Sequence, residues 1–309
     1  MGSKAGVVAL LGMPNAGKST LFNRLVGTPL AGVTPKPQTT RFLITGILNH
    51  ELGQAILVDT PGVIAQPRNA WHQALNRHSY KAAQDADVLL YLISLREVRR
   101  GPLTETLWWP EWLSTLQKPL LIGVTHADGL PTGTREAHLA EVASALVSLS
   151  PRWVLDVAVD KHLDELIQAL FEVLAESPPL YPTDDMTPQS VRFFVAEIIR
   201  KYLYMNLQEE LPYGTEVEVE TYREKPERDY IAATIYVEKE SHKPMVIGRG
   251  GAMIKKIGTA ARKEIEALVG KPVFLELYVK VAPDWRKSTQ RLKNWGYKVS
   301  YTISKDTDS

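Results

Sequence analysis

Apolar runs alternate with amphipathic stretches through the first half of the chain. Such runs occupy residues 7–12, 55–60, 88–94, 120–125 and 153–159. Almost continuous apolar runs of this length indicate strands that are covered on both faces of a parallel sheet. Stretches with helical spacing, such as "KSTLFNRLV" and "ALNRHSYKAAQDA", separate the runs. The alternation predicts an α/β domain with a doubly wound, mostly parallel sheet.

The pattern changes after a proline-rich stretch. "SPPLYPTDDMTP", residues 177–188, holds four prolines and two aspartates without periodicity, which is typical of a linker. The chain then reads as a helix, two alternating strands, two helices joined by a glycine loop, and a last strand. This order predicts a second, smaller α+β domain. We therefore predict a first domain at 1–178, a linker at 179–188 and a second domain at 189–309.

Composition narrows the class of protein. The 309 residues suffice for two domains, and the absence of cysteine excludes disulfides, thiolate metal sites and a cysteine nucleophile. No apolar run reaches 18 residues, so we expect no transmembrane helix, and the N-terminus lacks the features of a signal peptide. These features fit an intracellular protein.

Charge is distributed unevenly along the chain. Residues 241–305 carry 14 Lys and Arg against 4 Asp and Glu, a local net charge of +10, whereas the whole chain has +1. Such an excess predicts a polyanionic partner, with nucleic acid the first choice. A solvated basic face without a partner is the alternative.

The stretch "GMPNAGKST" has the spacing Gly-x4-Gly-Lys-Ser between a predicted strand and a predicted helix. Glycines let the backbone wrap a phosphate chain with its N–H groups inward, and the helix N-terminus adds positive potential. Lys18 is expected to bridge the β- and γ-phosphates, and the Ser19 hydroxyl is expected to bind Mg²⁺. The predicted nucleotide-binding residues of this P-loop are Asn15, Ala16, Gly17, Lys18, Ser19 and Thr20.

Two further motifs suggest a nucleotide-dependent switch. "DTPG" places Asp59 at a strand end, where its carboxylate can hold the Mg²⁺ shell, and the Gly62 N–H can sense the γ-phosphate. In "PKPQTTR", Thr40, or alternatively Thr39, is expected to bind Mg²⁺ in the presence of that phosphate. We thus predict Ser19, Thr40 and Asp59 as metal ligands, and Lys18, Thr40 and Gly62 as the catalytic group.

The tetrapeptide "THAD" ends the predicted strand at 120–125. Asp128 can accept the N1–H and exocyclic amine hydrogen bonds that guanine offers and adenine lacks. His126 can stack on the base, and Thr125 can partly tie this loop to the P-loop. We expect guanine specificity with reduced affinity, the alternative being a polar turn that has lost base recognition.

The second domain contains its own phosphate-binding pattern, "VIGRGGAMIKKIG". A GXXG loop between two helices can clamp a single-stranded nucleic-acid backbone, because glycines allow close approach. With two strands before it and one after, the arrangement is that of a type II KH domain. The predicted RNA-binding residues are Gly248, Arg249, Gly250, Gly251, Lys255, Lys256, Arg262 and Lys263. A plain helix–helix turn is the alternative.

Taken together, "GMPNAGKST", "PQTTR", "DTPG", "THAD", "VIGRGGAMIKKIG" and "VKVAPDWRKSTQRLKNWGY" resemble, in order, the motifs of the Era family. The resemblance covers about residues 5 to 300 and implies a GTPase with a C-terminal KH domain that binds small-subunit (16S-type) ribosomal RNA during assembly of the 30S subunit. It implies GTP or GDP and Mg²⁺ as ligands, and a monomer without affinity for DNA. It also implies a cytoplasmic location, with peripheral contact to the inner membrane in some members.

The chain departs from this family at the base site. The family carries Asn-Lys-x-Asp where this chain has Thr125 and His126, and its later Ser-Ala motif corresponds to Val157 and Ala158. We include Val157 and Ala158 among the predicted base-contacting residues. Weaker nucleotide binding is expected from both departures.

Hydrolysis is expected to be slow. Val63 follows the "DTPG" motif, where a glutamine would orient the attacking water in other GTPases. The resemblance implies stimulation by a partner or a cation, and Asn15 resembles the asparagine that helps hold K⁺ in cation-dependent GTPases. The alternative to a working switch is an RNA-binding assembly factor with a degenerate nucleotide site. An ATP-dependent RNA remodeller is weaker, because Asp128 remains and no helicase motif occurs.

Overall fold

The computed structural model describes residues 3–98, 107–126, 132–157 and 162–298. In the first part of the chain, six strands form one sheet in the order β2-β3-β1-β4-β5-β6. The strands are β1 (Lys4–Gly12), β2 (Ile44–His50), β3 (Gly53–Asp59), β4 (Val88–Ser94), β5 (Leu120–Thr125) and β6 (Trp153–Asp156). The helices are α1 (Lys18–Val26), α2 (Ala70–Asp85), α3 (Leu95–Val98), α4 (Trp112–Thr115), α5 (Thr132–Ala145) and α6 (Leu163–Val173).

The predicted doubly wound α/β fold is confirmed. Strands β3, β1, β4, β5 and β6 are parallel neighbours, and separate hydrophobic clusters cover the two faces of the sheet. Every residue of β4 is buried, as its uninterrupted apolar run requires. The sequence analysis missed β2, which is antiparallel to β3. Its run "ITGILNH" is interrupted by threonine and glycine, so the apolar pattern does not mark it.

The predicted linker is bonded along the outer edge of β2. Ile47 N donates to Met186 O at 2.9 Å, and Thr187 Oγ1 donates to Thr45 O at 2.6 Å. The Gln54 side chain also holds the backbone of Tyr181. These bonds satisfy polar groups that an edge strand would otherwise expose, and they fix the path of the chain between the two sheets.

The second sheet has three strands, with β7 (Thr215–Arg223) antiparallel and β9 (Val273–Val281) parallel to the central β8 (Asp229–Val237). Its helices are α7 (Val191–Asn206), α8 (His242–Ile247), α9 (Ala252–Val269) and α10 (Thr289–Asn294). Residues at helical spacing on α7 and α9 pack on one face of the sheet and form a separate core. This is the predicted KH arrangement, and it is confirmed.

A buried charge network joins the two domains at Arg41. Its guanidinium is fully buried and donates to Glu216 Oε2 at 2.9 Å, Tyr204 Oη at 3.0 Å and Pro212 O at 3.0 Å. Arg200 bonds the other carboxylate oxygen of Glu216 at 2.5 Å and also pairs with Glu197. Burial alone raises the pKa of Glu216, but the two guanidiniums outweigh it and hold this pKa below its usual value.

Aromatic packing seals the same junction. Trp71 on α2 lies against Trp285 of the second domain, with ring centroids 5.9 Å apart, and both side chains are fully buried. Trp285 Nε1 donates to Gly214 O at 3.0 Å. Trp285 therefore packs in the junction and has no face open to solvent. Among the described residues, no helix is long and apolar enough to cross a membrane.

We predict that the junction makes stability depend on pH through His78. Its Nδ1 lies 3.2 Å from Arg41 O, and its Nε2 accepts from Lys298 N at 3.0 Å. Burial is the main factor that lowers its pKa, from 6.5 to about 4. Between these values the unfolded chain binds a proton that the folded protein excludes, so stability falls as the pH decreases. The expected loss is about 3 kcal/mol.

Urea unfolding at pH 7 and pH 4.5 measures this effect. His78→Gln should reduce the stability difference between the two pH values, whereas His138→Gln, at a half-exposed histidine paired with Glu141, should leave it unchanged. An equal pH dependence in wild type and His78→Gln would contradict the prediction.

Candidate functional site

The P-loop is built by the turn between β1 and α1. Gly12 and Gly17 have φ values of 142° and 89°, which side chains disfavour, and α1 begins directly after Gly17. Lys18 Nζ donates to Gly12 O at 3.1 Å and to Met13 O at 2.8 Å, so the loop wraps around the ammonium group. Burial lowers the pKa of Lys18 to about 8 although Asp59 opposes this shift. The cation and the N-terminus of α1 therefore meet at one concave surface.

The three predicted metal ligands lie together. Asp59 Oδ2 accepts from Ser19 Oγ at 2.7 Å and lies 3.3 Å from Thr40 Oγ1, while the two hydroxyls are 2.9 Å apart. Burial raises the pKa of Asp59 to about 6, against the effect of Lys18. Its Oδ1 is buried without a hydrogen-bond partner among the described residues. Two hydroxyls and one carboxylate, whose second oxygen is unsatisfied, fit a hard divalent cation that keeps several waters, such as Mg²⁺.

The "DTPG" segment lies against the P-loop. A Cβ on Gly62 would be 2.5 Å from Pro14 N, so only glycine fits this approach of two backbones. Val63 N donates to Gly12 O at 3.0 Å, and the Val63 side chain is buried. The buried apolar side chain cannot orient a water molecule, in line with the slow hydrolysis expected from the sequence.

The loop of the "THAD" motif begins with Thr125 and His126, and Thr125 ties it to the P-loop. Thr125 Oγ1 donates to Ala16 O at 2.9 Å, so the threonine makes the inter-loop bond expected of it. His126 has a φ of 58°, and its Nδ1 lies 2.9 Å from Ser94 Oγ. Val157 directly follows β6 and is buried in the hydrophobic core. The predicted base contacts Asp128 and Ala158 lie outside the described residues.

These elements surround a cavity of about 460 Å³. Its lining includes the P-loop residues Asn15, Gly17, Lys18, Ser19 and Thr20 together with Thr40, Gly62 and His126. Asn15 has a left-handed φ of 63°. This position of the P-loop therefore favours a residue type that tolerates the left-handed conformation, as asparagine does.

Two cations of this cavity wall were not identified from the sequence. Lys36 belongs to the loop before Thr40, and Arg96 follows the buried strand β4. Lys36 directs its ammonium group away to α7, where Nζ donates to Tyr204 O at 2.7 Å. A charged residue two positions after the end of a buried strand is the signal that would have identified Arg96.

The glycine loop of the second domain separates α8 from α9. Gly248, Gly250 and Gly251 have φ values of 77°, 59° and 79°, so the loop needs glycine for its turn. A Cβ on Gly248 would also meet Met253 N at 2.6 Å. The two glycines after Arg249 have no atom within 4 Å of an added Cβ, which leaves this side of the loop open to an approaching backbone.

Basic side chains extend from this loop along α9. Arg249, Lys255, Lys256, Arg262 and Lys263 are all exposed, whereas the helix buries Ile257 and Ala261 in the core. Arg262 lies 3.5 Å from Glu266. The structure therefore places all eight predicted RNA-binding residues on one loop and the helix that follows it.

Two family models match separate parts of the chain. A model described as "50S ribosome-binding GTPase" matches residues 7–126, and a model described as "KH domain" matches residues 210–286. Among curated relatives, GTPase Era of Caldicellulosiruptor saccharolyticus is 39% identical over 305 residues, covering 97% of this chain and 99% of the relative. GTPase Era of Carboxydothermus hydrogenoformans is 36% identical over 299 residues, with 96% and 99% covered.

Solved structures give the same similarity. Era in complex with MgGDPNP and nucleotides 1506–1542 of 16S ribosomal RNA matches with a TM-score of 0.88 and 33% identity, covering 96% of this chain and 99% of that one. A variant of Era from Aquifex aeolicus bound to GDP.AlF4− has a TM-score of 0.84 and 31% identity, with 95% and 99% covered. The similarity therefore includes both domains and their arrangement.

We predict that Thr125→Val lowers the affinity for GDP about tenfold, since the buried hydroxyl bond to the P-loop contributes about 1–1.5 kcal/mol. Titration with fluorescent GDP measures the change. Thr187→Val removes a similar hydroxyl-to-carbonyl bond on the edge of β2 and should leave affinity unchanged. Equal affinities of Thr125→Val and wild type would show that the Thr125 hydroxyl does not support nucleotide binding.

Proposed function

This chain belongs to the Era family of GTPases, and from that premise we propose that its nucleotide state controls how its KH domain binds small-subunit ribosomal RNA during 30S assembly. One observation carries this proposal. Thr40, a predicted sensor of the γ-phosphate, is followed directly by Arg41, whose side chain is buried in the second domain. A change at the nucleotide therefore has a direct physical route to the RNA-binding domain.

We propose that the P-loop binds GTP and GDP. Lys18 exchanges its two carbonyl partners for phosphate oxygens, and the backbone N–H groups at the start of α1 add further donors. Ser19, Thr40 and Asp59 would hold Mg²⁺, which when bound neutralises phosphate charge. The oxygens of these three side chains lie 2.7 to 3.3 Å apart, which is close to the spacing of neighbouring ligands around octahedral Mg²⁺, so the ion would replace the hydrogen bonds between them.

Catalysis in the proposed site depends on charge more than on a base. Val63 offers no polar group to the water, so stabilisation of the phosphate oxygens falls to Lys18 and the Gly62 N–H. Asn15 lines the cavity beside them, and we propose that it helps to hold K⁺. The intrinsic rate should accordingly be low without a stimulating partner.

The route between the domains runs through direct contacts rather than through the linker alone. The Thr40 loop is the segment between α1 and β2 that contains Thr40, and its residues Lys36 and Gln38 both contact α7. Lys36 Nζ caps the carbonyls at the C-terminus of α7, and Tyr204 Oη donates to Gln38 O at 3.0 Å. A lysine at a helix C-terminus also interacts favourably with the helix dipole. Any movement of the Thr40 loop must therefore break or shift bonds to the first helix of the second domain.

The RNA-binding role follows from the open glycine loop and its basic helix. We propose the small subunit as the target, because a relative that matches both domains is solved with a 16S RNA segment.

We further propose a cytoplasmic monomer without affinity for DNA, divided at residues 179–188, with peripheral contact to the inner membrane as an additional property. A degenerate nucleotide site is the second candidate, favoured by Thr125 and the buried Val157.

Titration with fluorescent GDP, a GTP analogue and ATP, with Mg²⁺ and K⁺ present, separates these two functions. We predict that guanine nucleotides bind at least tenfold more tightly than ATP, because Asp128 offers acceptors that only guanine can use. Lys18→Ala should abolish this binding. Equal or absent binding of all three nucleotides would instead favour the RNA-binding factor with a degenerate site.

We predict that Lys36→Met weakens the coupling between nucleotide and RNA. This variant keeps the aliphatic chain but removes the charged cap on α7. The ratio between the RNA affinity in the GTP-analogue state and that in the GDP state should therefore come about fivefold closer to one, which corresponds to about 1 kcal/mol of coupling free energy. RNA affinity is measured in both states with a 16S fragment that contains the 3′ end.

Lys118→Met is a matched control. Lys118 Nζ binds Ala83 O at 3.1 Å at the end of α2, so it caps a helix within one domain only. The control should keep the wild-type ratio. If Lys36→Met also keeps it, the Lys36 contact does not transmit the nucleotide state.

A further inference from the structure

Arg96 occupies a special position in the first sheet. Strand β4 ends at Ser94 and lies between β1 and β5, with Leu92 paired to Gly12 and Ser94 paired to Thr125. Residues directly after β4 therefore lie next to the ends of both β1 and β5, where the P-loop begins and Thr125 and His126 lie. Leu95 is fully buried and anchors this turn. Arg96 is the next residue, and its exposed side chain lines the nucleotide cavity.

The guanidinium of Arg96 differs from the other cations of this wall. Lys18 is bonded to P-loop carbonyls, and Lys36 is bonded to α7. Within the part of the chain that the structure describes, no hydrogen bond or ion pair involves the Arg96 side chain. An arginine at the rim of a phosphate site can rotate toward an anion without first breaking another interaction.

The chemistry of the site calls for such a charge. Phosphoryl transfer depends on positive groups at the oxygens where negative charge develops, and arginine matches phosphate with a planar pair of N–H donors. Val63 contributes nothing polar to this step. We propose that Arg96 is a catalytic residue of this chain that contacts the phosphate chain of GTP during hydrolysis. This inference rests on the proposed GTPase function.

Single-turnover GTP hydrolysis tests the proposal on the full chain. Arg96→Ala should lower the rate at saturating GTP at least tenfold, with the affinity for GDP changed less than threefold. Arg96→Lys should keep part of the rate, because it retains a charge but not the paired donors. Binding of GDP with aluminium fluoride should weaken in Arg96→Ala more than binding of GDP alone.

Arg152→Ala is the control, since this exposed arginine precedes β6 and lies at the amino end of β5, whereas the nucleotide site lies at the carboxyl ends of the strands. It should hydrolyse GTP at the wild-type rate. A wild-type rate in Arg96→Ala would overturn the proposal, and so would a loss of nucleotide affinity with an unchanged saturated rate, which would place Arg96 at the base or ribose. If wild type itself neither binds nor hydrolyses GTP, the proposed function fails before Arg96 is tested.

Discussion

The buried Arg41 guanidinium is the constraint on which the two-domain arrangement depends. Arg41 directly follows Thr40 of the nucleotide site, and its side chain extends into the second domain. There its charge is compensated by Glu216, Tyr204 and two backbone carbonyls. Arg200 and Glu197 complete a set of two positive and two negative groups. Charge burial is costly, so removal of one member would leave another uncompensated. The two domains are thereby held in one relative position, and Trp71 and Trp285 exclude water from it.

This constraint places the nucleotide site and the RNA-binding domain in mechanical contact. On one side, the loop that contains Thr40 contacts α7. On the other, the segment after Gly62 leads into α2, whose Trp71 packs on the second domain. Both segments that respond to a γ-phosphate in switch GTPases therefore border the junction. The buried network is either intact or broken, which suits a two-state response better than a gradual one.

The phosphate end and the base end of the nucleotide site depend on different features of the chain. The phosphate end depends on backbone geometry, since Gly12 and Gly17 have φ values that side chains disfavour and a Cβ on Gly62 would clash with Pro14. The base end depends on side chains, and there Thr125 lies where the family carries asparagine and bonds to Ala16 O through its shorter side chain. A change of side chain at the base end leaves the backbone of the P-loop in place, so the fold persists. This difference explains how the chain keeps a P-loop with an altered base motif.

Sequence alone determined the two folds, the P-loop and the glycine loop, because apolar periodicity and glycine spacing are local properties of the chain. It also indicated Ser19, Thr40 and Asp59 as one group, since a P-loop, a threonine loop and "DTPG" follow one another along the chain in the order of a nucleotide-dependent switch. Only the tertiary structure identified Arg41, Lys36 and Arg96. A buried arginine looks like any surface arginine in sequence, and its role depends on partners more than 160 residues away. Long-range charge compensation leaves no periodic trace, so it could not be predicted from the pattern.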